Sequence, residues 1–281
     1  MRYLSLLALG AGLCATAVAQ AGDQCRHSDE RSAAAPTAGV EKIRIEAGAG
    51  ALKVSGEDGA TQMMARGQVC GGDEELVAAA TIEVRREGEV LIVTTVVPEP
   101  REQRGWFGSD SRSVTLDLVV DVPRDVAIEV EDSSGDLEIE NVGPLNVADS
   151  SGDIRIREIG GPLVVVDSSG EIDIRDVHGG LQLTDSSGDV DVESVGGDVM
   201  IPIDSSGDLD LRDIKGSVHI ATDTSGDIEI ANVREDVRID VDSSGSIRVD
   251  EVGGSFTVEA DSSGDIRHSG VAGAVALPPN R

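Results

Sequence analysis

Eight aspartates recur in this chain at nearly constant spacing: Asp132, Asp149, Asp167, Asp185, Asp204, Asp223, Asp242 and Asp261. Each opens an Asp-Ser-Ser-Gly turn (Asp-Thr-Ser-Gly at 223) that closes on Gly135, Gly152, Gly170, Gly188, Gly207, Gly226, Gly245 or Gly264. A second acid follows most of these glycines, from Asp136 and Asp153 to Asp265. Carboxylates in such a row have two uses: each can accept from the N–H groups of its own turn and stay solvated, or neighbours can share calcium ions. Stacked copies would lie about 4.8 Å apart. Adjacent charges then repel by about 0.9 kcal/mol in water and about 3.5 kcal/mol at an effective dielectric of 20, so something must offset the column. Repulsion alone raises the folded pKa values and makes acid stabilising, whereas turn hydrogen bonds or calcium lower them and make acid destabilising.

Other reactive side chains are sparse. His27, His178, His219 and His268 are scattered, no Gly-x-Ser-x-Gly elbow occurs, and no histidine recurs beside a serine, so no catalytic residues are expected and the chain reads as non-enzymatic. Of three cysteines, Cys14 lies in an apolar leader, which leaves Cys25 and Cys70 as an even pair predicted to form a disulfide in an oxidising compartment. No CxxC or HxxxH spacing suggests zinc. Trp106-Phe107, flanked by Gly105 and Gly108, reads either as a clasp over the end of the fold or as a partner contact.

The elements that must position these residues follow from the glycine intervals of 17, 18, 18, 19, 19, 19 and 19 residues. Units of that size cannot bury an apolar face alone and must stack. Two residues after each motif glycine stand Leu137, Ile154, Ile172, Val190, Leu209, Ile228, Ile247 and Ile266; four after stand Ile139, Ile156, Ile174, Val192, Leu211, Ile230, Val249 and finally His268. Seven after comes Val or Ile throughout, and eleven and thirteen after come pairs such as Leu163 with Val165 and Leu181 with Leu183. Alternation at two and four, and again at eleven and thirteen, is strand periodicity. It breaks three times per coil: at the Asp-Ser-Ser-Gly turn, between positions four and seven, and near a Gly-Gly such as Gly160-Gly161. The prediction is an all-β chain, a single-stranded three-sided parallel β-helix (β-solenoid), with right-handed coils favoured by the crossover rule. The extra residue of the 19-residue coils (Ile203, Thr222, Val241, Ala260) falls just before the aspartate and is expected to lengthen the corner rather than a ladder.

Arg2 followed by the apolar run Leu4 to Ala19, ending Ala17-Val18-Ala19, reads as a signal peptide over 1–19, cleaved near Ala19. The run is shorter than a membrane span needs, and no cysteine has the small preceding residue of a lipid anchor. Residues 20–38 read as a linker tethered by Cys25. Residues 39–123 read as a worn first coil, with Gly50 in the motif position and Leu52 and Val54 two and four on, plus a β-rich capping insertion. In the insertion, Asp73 to Ala80 predicts a short helix, Thr81 to Arg86 and Val90 to Val97 a hairpin, and Val114 to Val122 a strand ended by Pro123. Such an N-terminal cap keeps the solenoid edges from polymerising. The repeat β-helix occupies 124–271 and a tail 272–281.

Asp plus Glu number 53 against 23 Lys plus Arg, a formal net charge of -30. A surface this acidic repels phosphate backbones and anionic lipids, which excludes nucleic acid.

The order of a degenerate strand pair, a short acidic helix, a strand ending Val120-Asp-Val-Pro123 and then Ser-Gly-Asp-Ile-x-Ile coils resembles the bacterial "putative adhesin" family of exported β-strand-repeat proteins, over roughly Val40 to His268. The resemblance implies an exported, envelope-associated, non-enzymatic protein and brings no ligand residues. The expected role is an adhesin-like or scaffold module, a monomer in the periplasm or secreted, holding an envelope or surface protein or polymer through its acidic solenoid. The alternative is a calcium-binding envelope protein using the stacked corner aspartates. No other cofactor is expected.

Overall fold

The computed structural model describes residues 25–98 and 113–279. The motif glycines explain why the coils repeat as they do. Their φ angles lie between 120° and 141°, a region that L side chains rarely adopt. A Cβ at any of them would stand 1.6 to 2.1 Å from the carbonyl oxygen of the matching glycine one coil earlier, Gly50 serving as that glycine for Gly135. Coils can therefore stack at strand spacing only where this position lacks a side chain.

Beyond the turn the expected columns stack as parallel ladders. Ile154–Ile159 pairs with Ile172–Val177 through Ile154↔Ile172 and Ile156↔Ile174, and Val190–Val195 continues the row. Leu163–Val166 pairs with Leu181–Thr184 on the other side of the coil. The column residues are almost completely buried, and their side chains form one continuous aliphatic core. Two sheets result, each 12-stranded among the described residues.

The break between positions four and seven is a residue with φ between 56° and 65°: Asn141, Glu158, Asp176, Ser194, Asp213, Asn232 and Glu251. The strand turns there without leaving the first sheet, since Ile159 still pairs with Val177. Asparagine and aspartate tolerate this left-handed conformation best among residues with side chains. They hold four of the seven positions, and that enrichment was the available sequence signal.

The cap lies on the N-terminal side of both sheets. Its strands are β1 (His27–Pro36), β2 (Lys42–Glu46), β3 (Leu52–Glu57), β4 (Gln62–Gly71), β5 (Thr81–Glu87), β6 (Val90–Val96) and β7 (Val114–Pro123), with helix α1 (Glu74–Ala79) between β4 and β5. The first coil is β2 and β3, which pair with Ala127–Glu131 and Leu137–Glu140, and Gly50 has the motif's φ of 134°. One sheet then ends β3, β7, β4, β1, the other β2, β6, β5; the last pairings are antiparallel. Asp73 caps α1 by accepting from the N–H groups of Glu75 (3.0 Å) and Leu76 (3.3 Å).

Two expectations are corrected. Most of the segment read as a 20–38 linker is β1, an edge strand paired with β4 from His27↔Gly71 to Pro36↔Gln62. Arg31 explains the docking: its Nε donates to Ala80 O (2.7 Å) and its Nη2 to Val77 O (2.9 Å), closing the C-terminal end of α1. The added residue of the longer coils does not sit in the corner. Between Gln182 and Thr184 the register shifts by one, and from there the second-sheet strands extend through the aspartate, as in Val218–Asp223 paired with Val237–Asp242. Coils of equal length pair the extra N–H and C=O groups with each other, so the ladder absorbs the insertion.

Candidate functional site

The corner aspartates point inward. Asp204, Asp223 and Asp242 are 0% exposed, Asp167 and Asp185 1%, and Asp132 and Asp149 5%. The expectation that they stay solvated is thus corrected, and the reason is strand alternation. In an 18-residue coil Leu163, Val165 and Asp167 are successive inward positions of one strand. In the longer coils the ladder skips one residue between Ile220 and Thr222, which returns Asp223 to the interior. The parity was legible in the sequence; the charge concealed it.

Both carboxyl oxygens of Asp132, Asp149, Asp167, Asp185, Asp204 and Asp223 are buried without a well-formed hydrogen bond. Asp242 accepts at Oδ1 from the Ser244 N–H (3.1 Å) and leaves Oδ2 unpartnered. Burial in the aliphatic core therefore raises these groups. Asp132 is pushed up to about 7, by burial first and by Asp149 second. Asp242 also reaches about 7, through burial and then the charges of Asp223 and Asp261. Asp149 and Asp185 rise to about 6 by burial, and the nearby turn N–H groups oppose only part of the rise. Burial raises Asp167, Asp204 and Asp223 as well. A carboxyl whose folded pKa is raised gives stability that is present in acid and lost as pH climbs through the folded value.

The outer side of the first sheet is acidic. A shallow groove of about 400 Å³ runs across it, where Asp153, Glu171, Asp173, Asp189, Asp191, Asp208 and Asp210 outnumber Arg155 and Arg175. The acids following the motif glycines are held from the next coil: Asp153 accepts from Glu171 N–H (3.2 Å), Asp189 from Asp208 N–H (3.0 Å) and Asp208 from Asp227 N–H (2.8 Å). Arg175 pairs with Asp173 at 2.8 Å, whereas Asp191 has no basic side chain within ion-pair distance among the described residues. The outer side of the second sheet differs: over its middle coils it carries Val164, Val166, Gln182, Thr184 and Met200 and no charge, with Val166 46% exposed and Ile203 49%.

Cys25 and Cys70 form the expected disulfide, with Cα atoms 5.2 Å apart, tying β1 to β4. His219 contacts Asp240 at 2.9 Å on the outer face of the second sheet, and the His268 ring lies 6.0 Å from that of Phe256. The histidines are not gathered with one another. Trp106 and Phe107 and the leader lie outside the described residues. Among the described residues no three Asp, Glu, His or Cys side chains converge as a metal site requires, and no helix is long and apolar enough to cross a membrane.

The two sheets stack as a parallel β-solenoid of about eight coils with an acidic outer face. Residues 97–272 match the Toastrack DUF4097 family, and the chain belongs to it. Among solved structures it is similar to a cell adhesion protein of Clostridium sporogenes, described as "putative", at 12% identity over 90% of this chain and 100% of that one, with TM-score 0.36. A "putative adhesin" of Bacteroides fragilis shares 17% identity over 89% and 97% (TM-score 0.38), and a "putative lipid binding protein" of Parabacteroides distasonis 15% over 90% and 98% (TM-score 0.44). No curated protein matches.

Proposed function

We propose that the chain is an exported, non-enzymatic, adhesin-like module of the bacterial envelope, released after cleavage near Ala19, that holds a basic protein or surface polymer on the outer face of its first sheet. The observation that carries this reading is the groove in which seven carboxylates meet two guanidinium groups. Backbone N–H groups of the next coil hold one oxygen of Asp153, Asp189 and Asp208. Fixed acceptors repeating at the coil spacing suit a row of cationic side chains on an extended partner. The apolar leader and the disulfide support export.

The test is calorimetric titration of the chain with a lysine-rich peptide at several salt concentrations. Binding should weaken steeply with salt and in the variant Asp173→Asn/Asp191→Asn/Asp210→Asn, and should be indifferent to Met200→Ser on the opposite face. Equal affinity in the triple variant would reject the acidic face. Calcium on the corner aspartates has less support. Those carboxyls are buried away from hydrated ions, and calcium takes six to eight oxygens where two neighbouring aspartates supply at most four.

A further inference from the structure

Seven of the eight corner aspartates, Asp132 to Asp242, form a buried column with one member per coil, and Asp261 at its end is partly exposed. Asp204 bridges to Asp223, Asp223 pairs with Asp242, and Asp242 with Asp261, each in register one coil apart. Their carboxyls follow one another through the interior at the coil spacing, and each neighbour's charge adds to the cost of ionising the next. Two ionised carboxylates are both acceptors only, so neighbouring carboxyls can bond to one another only where one of them keeps a proton.

Nothing else in the surroundings neutralises the ladder. From their own corners the aspartates face turn N–H groups, those of Ser133, Ser150, Ser186, Ser205, Thr224 and Ser244. From the coils above and below they face only the next aspartate, and the remaining interior is aliphatic. No lysine, arginine or histidine pairs with any ladder aspartate among the described residues. Isolated ionised carboxylates in such a place are far costlier than neutral ones.

We propose that this aspartate ladder is a proton-binding site, a chain of buried carboxyls that share protons at neutral pH and make closure of the solenoid depend on keeping them. The neutral carboxyl donates to its neighbour and satisfies oxygens that the protein otherwise leaves bare. Protons need no cavity and no convergence of three ligands. The upward displacement of the buried groups agrees in sign, and the register skip that returns Asp223 inward shows the ladder kept across coils of different length. When protons leave, the Asp-Ser-Ser-Gly corner must open to water or carry unpaired buried charge. The ladder runs through the core, not the acidic outer face, so the inference does not depend on the proposed partner.

The direct test is the infrared spectrum of the intact protein in deuterated buffer, in which neutral and ionised carboxyls absorb separately. A neutral band should persist at pH 7 and vanish only above it, although an ordinary aspartate has lost its proton by about pH 5. Replacing Asp204→Asn, Asp223→Asn and Asp242→Asn together should remove those carboxyls' share of the band and flatten the fall in melting temperature between pH 5 and 9. The proposal is overturned by absence of the neutral band at pH 7. It is equally overturned if the triple variant keeps the whole band, or if calcium raises and chelator lowers the wild-type melting temperature at pH 7, which would assign the ladder to cations. Should the variant not fold, the band of the unmodified protein decides.

Discussion

Replacing Gly188→Ala in the middle of the solenoid separates backbone strain from coil stacking. The residue has φ 140°, and its added Cβ would lie 1.7 Å from Gly170 O. Holding an alanine at such a φ costs about 1 to 3 kcal/mol. The contact must also open to ordinary van der Waals separation, a shift of more than 1 Å that pulls Gly170 N–H from Ser187 O and Gly188 N–H from Ser206 O, now at 3.1 and 3.0 Å. Losing two backbone hydrogen bonds at this partly exposed corner adds about 1 to 3 kcal/mol. The sum, about 2 to 6 kcal/mol, is a large part of the net stability of a domain, about 5 to 15 kcal/mol. The control is Gly88→Ala at the β5–β6 turn, where φ is 64° and a Cβ meets nothing within 4 Å; its cost should be the strain alone, about 1 to 2 kcal/mol. Urea melts of the two variants and the parent give the difference. Equal losses would refute the claim that the motif glycines are required by stacking.

Asp185, raised from 3.8 to about 6, takes up a proton on folding, so the parent loses up to about 3 kcal/mol through this group between pH 4 and 8. Asp185→Asn should reduce that loss, as chemical melts at the two pH values would measure; an unchanged slope refutes it. Ile174→Asp puts an unpaired charge at a 0% exposed position and should unfold the neighbouring coils, read by circular dichroism. Reducing Cys25–Cys70 should cost about 4 kcal/mol by loop entropy and expose β1, read by melting and by amide exchange over His27–Pro36. Asp73→Ala should cost about 1 kcal/mol, confined to exchange in α1 and in β1 where Arg31 docks on it.

Determination by sequence was strongest where the physics is local and repeated. Spacing of Gly152, Gly170 and Gly188, with Ile154, Ile172 and Val190 two residues on, dictated stacked strands, because only one register buries every member of each column. The α1 cap at Asp73, the β5–β6 hairpin and the end of β7 at Pro123 were legible for the same reason: each is specified within a few residues. Strand β1 was not, since Ser32, Ala33 and Ala34 carry almost no apolar signal and are ordered by β4, the disulfide and Arg31 on a helix 46 to 49 residues away. What the aspartates meet inside the core also required the tertiary structure. A carboxyl in a turn is expected to face water, but strand parity through Leu163 and Val165 carries Asp167 into the core, and only the stack above and below supplies a neighbour with which to share a proton.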